Sequence, residues 1–429
     1  MKKFKVLLLT ILGLAVFLRL YGILDNYYFS GELGKELLYM RHFSLTKTLP
    51  LTGMTTSHEW LSYGPIYYWI MIPVFNLLNG NPLILFYSAL TVSILGLILN
   101  FVIVKKISTE KVAIISTALQ AISPLLIWQT QSSKLHTFFF ILSPILMYLL
   151  YLLWNGKKKW LIYTGIVFGL MFSFHFSQIP LLGVLVLLFM IKKYKFTDYL
   201  KFGAGVLIPN LTLLWQDKNL LIWIPYRIIT SGGRDLVGTL NSFNEFMGRN
   251  IFWDHKLWVL ASIIFLTVLI HFIWSNHKKI KKDFLIFYLT SSISFIFLAN
   301  FLHSSPPVHY FLPVFTTVPI LFALYLDKQK YWWVALVLIF LINFKGYFNF
   351  QKPNDFVPLA TQVRIADSIV KDANGSEFSI KRIGLYDYFP ETYSQNYKYL
   401  ILSRGGKLTD KSKNIYTIND FTNSYSKEK

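Results

Sequence analysis

Apolar runs broken by short polar links fill most of the chain. Eleven are read as membrane spans: residues 6–24, 82–104, 112–128, 136–154, 160–176, 178–191, 200–215, 257–274, 284–302, 309–326 and 331–347. Roughly 17–25 helical residues cross a hydrocarbon core, and helices serve there because each backbone N–H and C=O finds its partner within the segment. The links alternate in character. Every second one carries lysines: Lys2/Lys3/Lys5, Lys105/Lys106/Lys111, Lys157/Lys158/Lys159, Lys192/Lys193/Lys195/Lys201, Lys278/Lys279/Lys281/Lys282 and Lys328/Lys330. The positive-inside rule assigns those links to the cytoplasm, which predicts a cytoplasmic N-terminus and an extracytoplasmic C-terminus.

The start, MKKFKVLLLTILGLAVFLRLYG, has the basic and apolar parts of a signal peptide but no small-residue cleavage site, and it is read as an uncleaved first span. Residues 65–78 are apolar and rich in Tyr and Trp; as a full span they would move Lys105 and Lys106 outside, so they predict a helix at the outer interface. Beyond residue 350 the chain turns polar. The segment VPLATQVRIADSIVKDANG predicts an amphipathic helix with Val363, Ala366 and Val370 on one face, closed by Asn374-Gly375. FSIKRIGLYD, YKYLILSR and KNIYTI predict strands, and SYSKEK a frayed tail. The expected architecture is an all-α polytopic membrane domain, residues 1–350 with outer loops 25–64 and 215–256, followed by a small extracytoplasmic α/β domain, 351–429.

Composition narrows the function classes. Of 429 residues, 54% are hydrophobic and 15% charged, and cysteine is absent, which removes disulfides, thiolate metal sites and thiol nucleophiles. The net charge of +21 lies in topogenic clusters rather than along one soluble face, so nucleic acid is not an expected partner. Arginine divides from lysine: Arg19, Arg41, Arg227, Arg234, Arg249, Arg364, Arg382 and Arg404 fall outside or at outer span ends, where a planar guanidinium suits phosphate or carboxylate.

Chemistry concentrates in the first outer loop. A helix beginning near Ser30 places Glu32 and Glu36, with Lys35 between them, on one face at its positive N-terminal end. Two readings follow from the residues: an ordinary first turn with favourable acids, or a general base at the membrane surface, where desolvation raises a carboxylate toward working pH. A transporter or flippase is the competing class, but it places ionisable groups in several spans near the midplane, and these spans hold almost none.

The order Gly31-Glu32-Leu33-Gly34-Lys35-Glu36, Pro50-Leu51-Thr52-Gly53, Gly64-Pro65-Ile66-Tyr67-Tyr68 resembles the C-type (GT-C) glycosyltransferases, in their family 39-like, protein-mannosyltransferase and aminoarabinose-transferase-like branch. Ser123-Pro124, Phe174-His175-Phe176-Ser177, His309-Tyr310-Phe311-Leu312-Pro313 and the run from Tyr397 to Gly406 extend the likeness. The resemblance implies inverting transfer of a sugar, mannose-like or another hexose or pentose, from a polyprenyl-phosphate carrier to an acceptor hydroxyl on the outer face. It implies Glu32 as the base, where the family usually has Asp, with Glu36 in support. Arg41, Lys134, Arg227, Arg234, His175 and His309 are the expected phosphate-binding residues, and Lys35, His58, Tyr67, Tyr68 and Tyr310 the expected lining of the substrate site. No cofactor is implied beyond the lipid-linked donor. A divalent metal held by Glu32, His58, Glu59 and His309 stays open as the lesser alternative, since no two of them have a ligand spacing that argues for it. The partners implied are membrane lipid, the lipid-linked donor and an acceptor of unspecified class; the alternative is an inactive lipid-binding protein of the same fold.

Overall fold

A computed structural model describes residues 2–56, 60–218, 236–275, 307–348, 356–384 and 393–428, with 222 and 226 singly. The span expected at 284–302, the lysines at 278–282, and His58, Glu59, Arg227 and Arg234 lie outside the described residues. The helices that matter for the site are α1 (Lys2–Leu20), α2 (Gly31–Thr46), α3 (Ile66–Leu77), α4 (Ile84–Ile107), α5 (Glu110–Ala121), α6 (Pro124–Ser132), α7 (Phe139–Trp154), α8 (Leu161–Phe174), α9 (Pro180–Ile191) and α10 (Phe196–Leu207). After them come α11 (Leu236–Ile251), α12 (Trp258–Ser275), α13 (Thr317–Leu326), α14 (Trp332–Phe348), α15 (Leu359–Ala373) and α16 (Gln395–Ser403).

Among the described residues, two helical segments are long and apolar enough to cross a membrane unbroken, Ile84–Ile107 and Leu135–Trp154, and up to five if each bent pair is one span. The α5–α6 pair bends by 53° where Ser123 precedes Pro124. The residue before a proline is pushed out of the helical region, and Ser123 is extended (φ −66°, ψ 121°). A 3₁₀ helix, Val308–Val314, joins α13 at 56°. The residues expected to form an interfacial helix form α3, twelve residues long.

Arg19 fastens α1 to the bundle. Its fully buried guanidinium donates to Ser93 Oγ at 2.9 Å, to Ala15 O at 3.1 Å and to Ala121 O at 3.0 Å, tying α1 to α4 and α5. Backbone carbonyls and a hydroxyl thus receive a charge that the apolar interior would otherwise leave unsolvated.

The C-terminal segment forms a sheet of four strands in the order β2-β1-β3-β4: β1 (Glu377–Ile383), β2 (Lys407–Leu408), β3 (Ile415–Asn419) and β4 (Ser424–Glu428). β1 runs parallel to β2 and β3, and β4 returns antiparallel to β3. Helix α15 forms as expected, closed by Asn374 in the left-handed region (φ 44°). Two expectations are corrected. Tyr397–Arg404 is not a strand; Gln395–Ser403 is helical, because Tyr397, Tyr399, Leu400 and Ile401 are buried on more than one side, and a short continuous apolar run does not distinguish the two states. Ser424–Glu428 is not frayed: Tyr425 pairs with Ile418 and packs on Tyr416, while Lys427 lies over the Tyr416 ring at 5.5 Å.

Helix α16 packs directly on α2. Gln362 Nε2 and Asn396 Nδ2 donate to Phe29 O at 3.1 and 3.3 Å, and Asn396 Nδ2 also donates to Gln362 Oε1 at 2.8 Å. The C-terminal segment therefore grips the backbone immediately ahead of α2. A Cβ on Gly34 would lie 2.3 Å from the backbone nitrogen of Asn396, so this approach requires glycine. Alanine inside a helix normally stabilises by about 1 kcal/mol relative to glycine. At Gly34 the sign reverses: Gly34→Ala is expected to lower stability by about 1–3 kcal/mol through overpacking, read as a lower melting temperature in detergent. A melting temperature at or above that of the unaltered protein contradicts the close α2–α16 contact.

Candidate active site

The site begins at the first turn of α2. Ser30 is its N-cap, extended at φ −78° and ψ 167°, and its hydroxyl accepts the Leu33 N–H at 3.4 Å. This starts the helix where the sequence predicts and sets Glu32 and Glu36 one turn apart on the same face.

The two carboxylates have opposite surroundings. Glu32 is about one-third exposed and accepts from Lys134 Nζ at 2.6 Å. Lys134 is held between Ser133, whose left-handed backbone (φ 57°) ends α6, and the 3₁₀ turn Leu135–Phe138; the Thr137 hydroxyl donates back to Lys134 O at 2.6 Å. Glu36 is buried and accepts the Tyr67 O–H at 3.0 Å. Burial, with the Glu32 charge adding to it, pushes the Glu36 carboxyl up to about 8, against the opposing pull of the Tyr67 hydrogen bond and Lys134. Glu36 is thus mainly protonated at neutral pH, whereas Glu32 lies against the Lys134 ammonium.

A short hairpin closes one wall. Gly53 N–H donates to Tyr63 O at 2.7 Å, Tyr63 N–H to Met54 O at 3.0 Å and Thr56 N–H to Leu61 O at 2.8 Å. Its end is pinned by Gly64 N–H to Ser173 O at 2.8 Å and by Ser62 N–H to Asp217 Oδ2 at 2.7 Å. The Tyr63 ring stacks on His175 with centroids 5.4 Å apart. Burial raises the Tyr63 phenol, and the charges of Tyr310, Glu32 and Glu36 raise it further.

Behind Tyr63 three imidazoles converge. His136, from the turn after Lys134, stacks on His309 at 4.2 Å and lies edge-on to His175 at 4.6 Å. One nitrogen of each lies within 4.8 Å of the others. His175 Nδ1 is 2.7 Å from Ser177 Oγ and 3.2 Å from Ser177 N. Tyr310 borders the group, 5.5 Å from His175.

The structure brings together Glu32, Glu36, Lys134, Tyr67, His175, His309 and Tyr310. Lys35 reaches Thr55 Oγ1 at 3.4 Å beside the hairpin, and Tyr68 packs on Tyr39 behind Tyr67. Arg41 is not brought to this group: it lies more than two turns along α2 and donates to Leu402 O at 3.4 Å, against α16. Sequence reasoning passed over Tyr63, Ser177 and His136. His136 follows Lys134 by two residues at a predicted outer span end, the same kind of position as predicted for His175 and His309, and that shared position is the signal that could have selected it.

Residues 62–215 match the family model described as dolichyl-phosphate-mannose-protein mannosyltransferase. That stretch contains Lys134, His136 and His175 but not Glu32, Glu36 or His309. Among solved structures, the chain is similar to ArnT from Cupriavidus metallidurans bound to undecaprenyl phosphate, with a TM-score of 0.55 at 10% identity, covering 92% of this chain and 75% of that one. It is also similar to the oligosaccharyltransferase of Archaeoglobus fulgidus in complex with Zn and sulfate: TM-score 0.53, 11% identity, 94% of this chain and 62% of that one. The archaeal AglB from the same organism, in complex with an inhibitory peptide and a dolichol-phosphate, gives a TM-score of 0.52 at 10% identity, over 93% of this chain and 63% of that one. The chain thus spans less than two-thirds of the archaeal enzymes. No curated protein sequence matches it significantly.

Buried Glu36 makes stability depend on pH in a defined direction. Its folded value of about 8 lies above the ordinary 4.5, so the folded state binds the proton more tightly. The stabilisation is present at low pH and is lost as pH rises through that window. Glu36→Gln keeps an oxygen to accept from Tyr67 and removes the titration, so its melting temperature should vary less between about pH 4.5 and 8 and exceed that of the unaltered protein above it. Parallel pH profiles for the two proteins contradict a protonated Glu36.

Proposed function

We propose, from the premise that this chain has the GT-C glycosyltransferase fold, that it transfers a sugar from a polyprenyl-phosphate carrier to an acceptor hydroxyl, with inversion, at the outer face of the membrane. One observation carries the reading: Glu32 and Lys134 face each other at 2.6 Å at the start of α2, with a second carboxyl buried one turn behind. A carboxylate and an ammonium side by side support a base next to a phosphate-binding cation.

Three roles follow. The Lys134 ammonium turns to the donor phosphate, and its departure frees Glu32 to accept the acceptor proton. The acceptor oxygen attacks C1 from the face opposite the phosphate; the C1–O bond breaks, its electron pair leaves with the phosphate, and no acid is required for a leaving group that departs as an anion. Glu36, kept protonated by burial, adds no competing negative charge and, with Tyr67, fixes the face of α2. The folds of ArnT and the archaeal oligosaccharyltransferase, solved with undecaprenyl phosphate and with a dolichol-phosphate, support a lipid-phosphate donor. The alternating lysine clusters support a cytoplasmic N-terminus and an outer C-terminus. A tag placed after Lys429 should be open to protease in intact cells, and full protection contradicts that orientation.

The assay is turnover by purified protein with a panel of labelled polyprenyl-phosphate sugars. Glu32→Gln keeps size and shape but removes the proton acceptor, and turnover should fall about 10²–10⁴-fold with donor binding retained. Glu32→Asp should remain active, and Glu36→Gln should cost much less than Glu32→Gln. Near-normal turnover in Glu32→Gln rules out the mechanism, while a dead Glu36→Gln protein moves the base one turn along α2.

A further inference from the structure

Three histidines far apart in the chain meet through three separate structural devices. His136 is placed by the 3₁₀ turn that follows Lys134, His175 by the break between α8 and the 3₁₀ turn Phe176–Gln178, and His309 by the 3₁₀ helix Val308–Val314. Such helices seldom extend beyond three or four residues, and this one runs for seven with Pro313 inside it. His136 and His175 are buried, and His309 is partly so.

We propose that His136, His175 and His309 form a site for a first-row divalent metal ion, zinc before others, with an open fourth position for an oxygen ligand. Imidazole suits zinc, and three protein ligands with one open position are the arrangement of reactive rather than structural zinc sites. Neutral imidazole is the ligand form; His175 Nδ1 accepts the Ser177 backbone N–H at 3.2 Å and lies 2.7 Å from Ser177 Oγ, so coordination through Nε2 requires Nδ1 to take up the proton and turn it to Ser177 Oγ in place of the backbone contact. That hydroxyl supplies the outer contact that orients a metal-bound histidine. Zinc–nitrogen bonds of about 2.0–2.1 Å require the near-parallel rings of His136 and His309 to tilt apart, and both belong to 3₁₀ segments rather than to the middle of a packed helix. Lys134, two residues from His136, opposes a nearby cation, and its ion pair with Glu32 offsets that repulsion. This site goes beyond the transfer reading and stands without it.

The test uses untagged full-length protein in detergent, stripped with chelator and dialysed against zinc. One zinc per chain is expected, and its X-ray absorption should show imidazole scattering in a nitrogen shell at about 2.0–2.1 Å. Cobalt in its place should give the intense visible bands of a four-coordinate ion. His136→Ala, His175→Ala and His309→Ala should each weaken zinc affinity at least about 100-fold, since even outer contacts to such ligands are worth 10–100-fold, in protein whose melting curve remains cooperative. Absence of stoichiometric zinc, an oxygen-only shell in the unaltered protein, or affinity indifferent to all three substitutions overturns the proposal. The absorption measurement needs no variant, so a substitution that fails to fold leaves the proposal testable, and none of these readouts depends on sugar transfer.

Discussion

Glu32 and Glu36 stand one helical turn apart in unlike dielectrics. Glu36 is buried against Tyr67; an anion there, without water and beside a second carboxylate, is costly, so the proton stays. Glu32 reaches the polar side and is paired with Lys134. Neighbouring features position this pair: the Ser30 cap starts the helix, Tyr67 holds Glu36, and α16 holds the backbone at Phe29.

The grip of the C-terminal segment gives it a part in the site that its distance along the chain conceals. Gln362 and Asn396 bind the carbonyl of Phe29, one residue before the cap, and Gly34 lets α16 approach α2 to backbone contact. The buried Arg382–Asp420 ion pair at 2.6 Å, to which Tyr397 adds a hydrogen bond at 2.8 Å, ties α16 to the end of β3. The small sheet is thus joined through α16 to the backbone that precedes the Ser30 cap.

Hydrophobic run length made the helical bundle legible, since it responds directly to the bilayer. Helix α2 was legible down to its cap, because Ser30 and the acids of its first turn are local signals. Residues 397–404 were misread because burial on two sides removes periodicity, and the last strand because its support comes from β3 and Asp372 rather than from its own residues. Lys134 was singled out by its charge at a predicted outer span end, and the structure pairs it with Glu32. The meeting of His136 with His175 and His309 was not found, because three chain segments create it and no spacing in the sequence encodes it. Arg41 carried the right charge, but the rise of α2 takes it away from Glu32 and toward α16.

The central claim is that the Glu32–Lys134 pair is the place where a donor phosphate is received. Determining the structure of the full-length protein with bound undecaprenyl phosphate tests this most directly. The account predicts a phosphate oxygen within hydrogen-bond distance of Lys134 Nζ, and Glu32 no longer paired with that lysine. A phosphate bound at Arg41, with the Glu32–Lys134 pair intact, contradicts it.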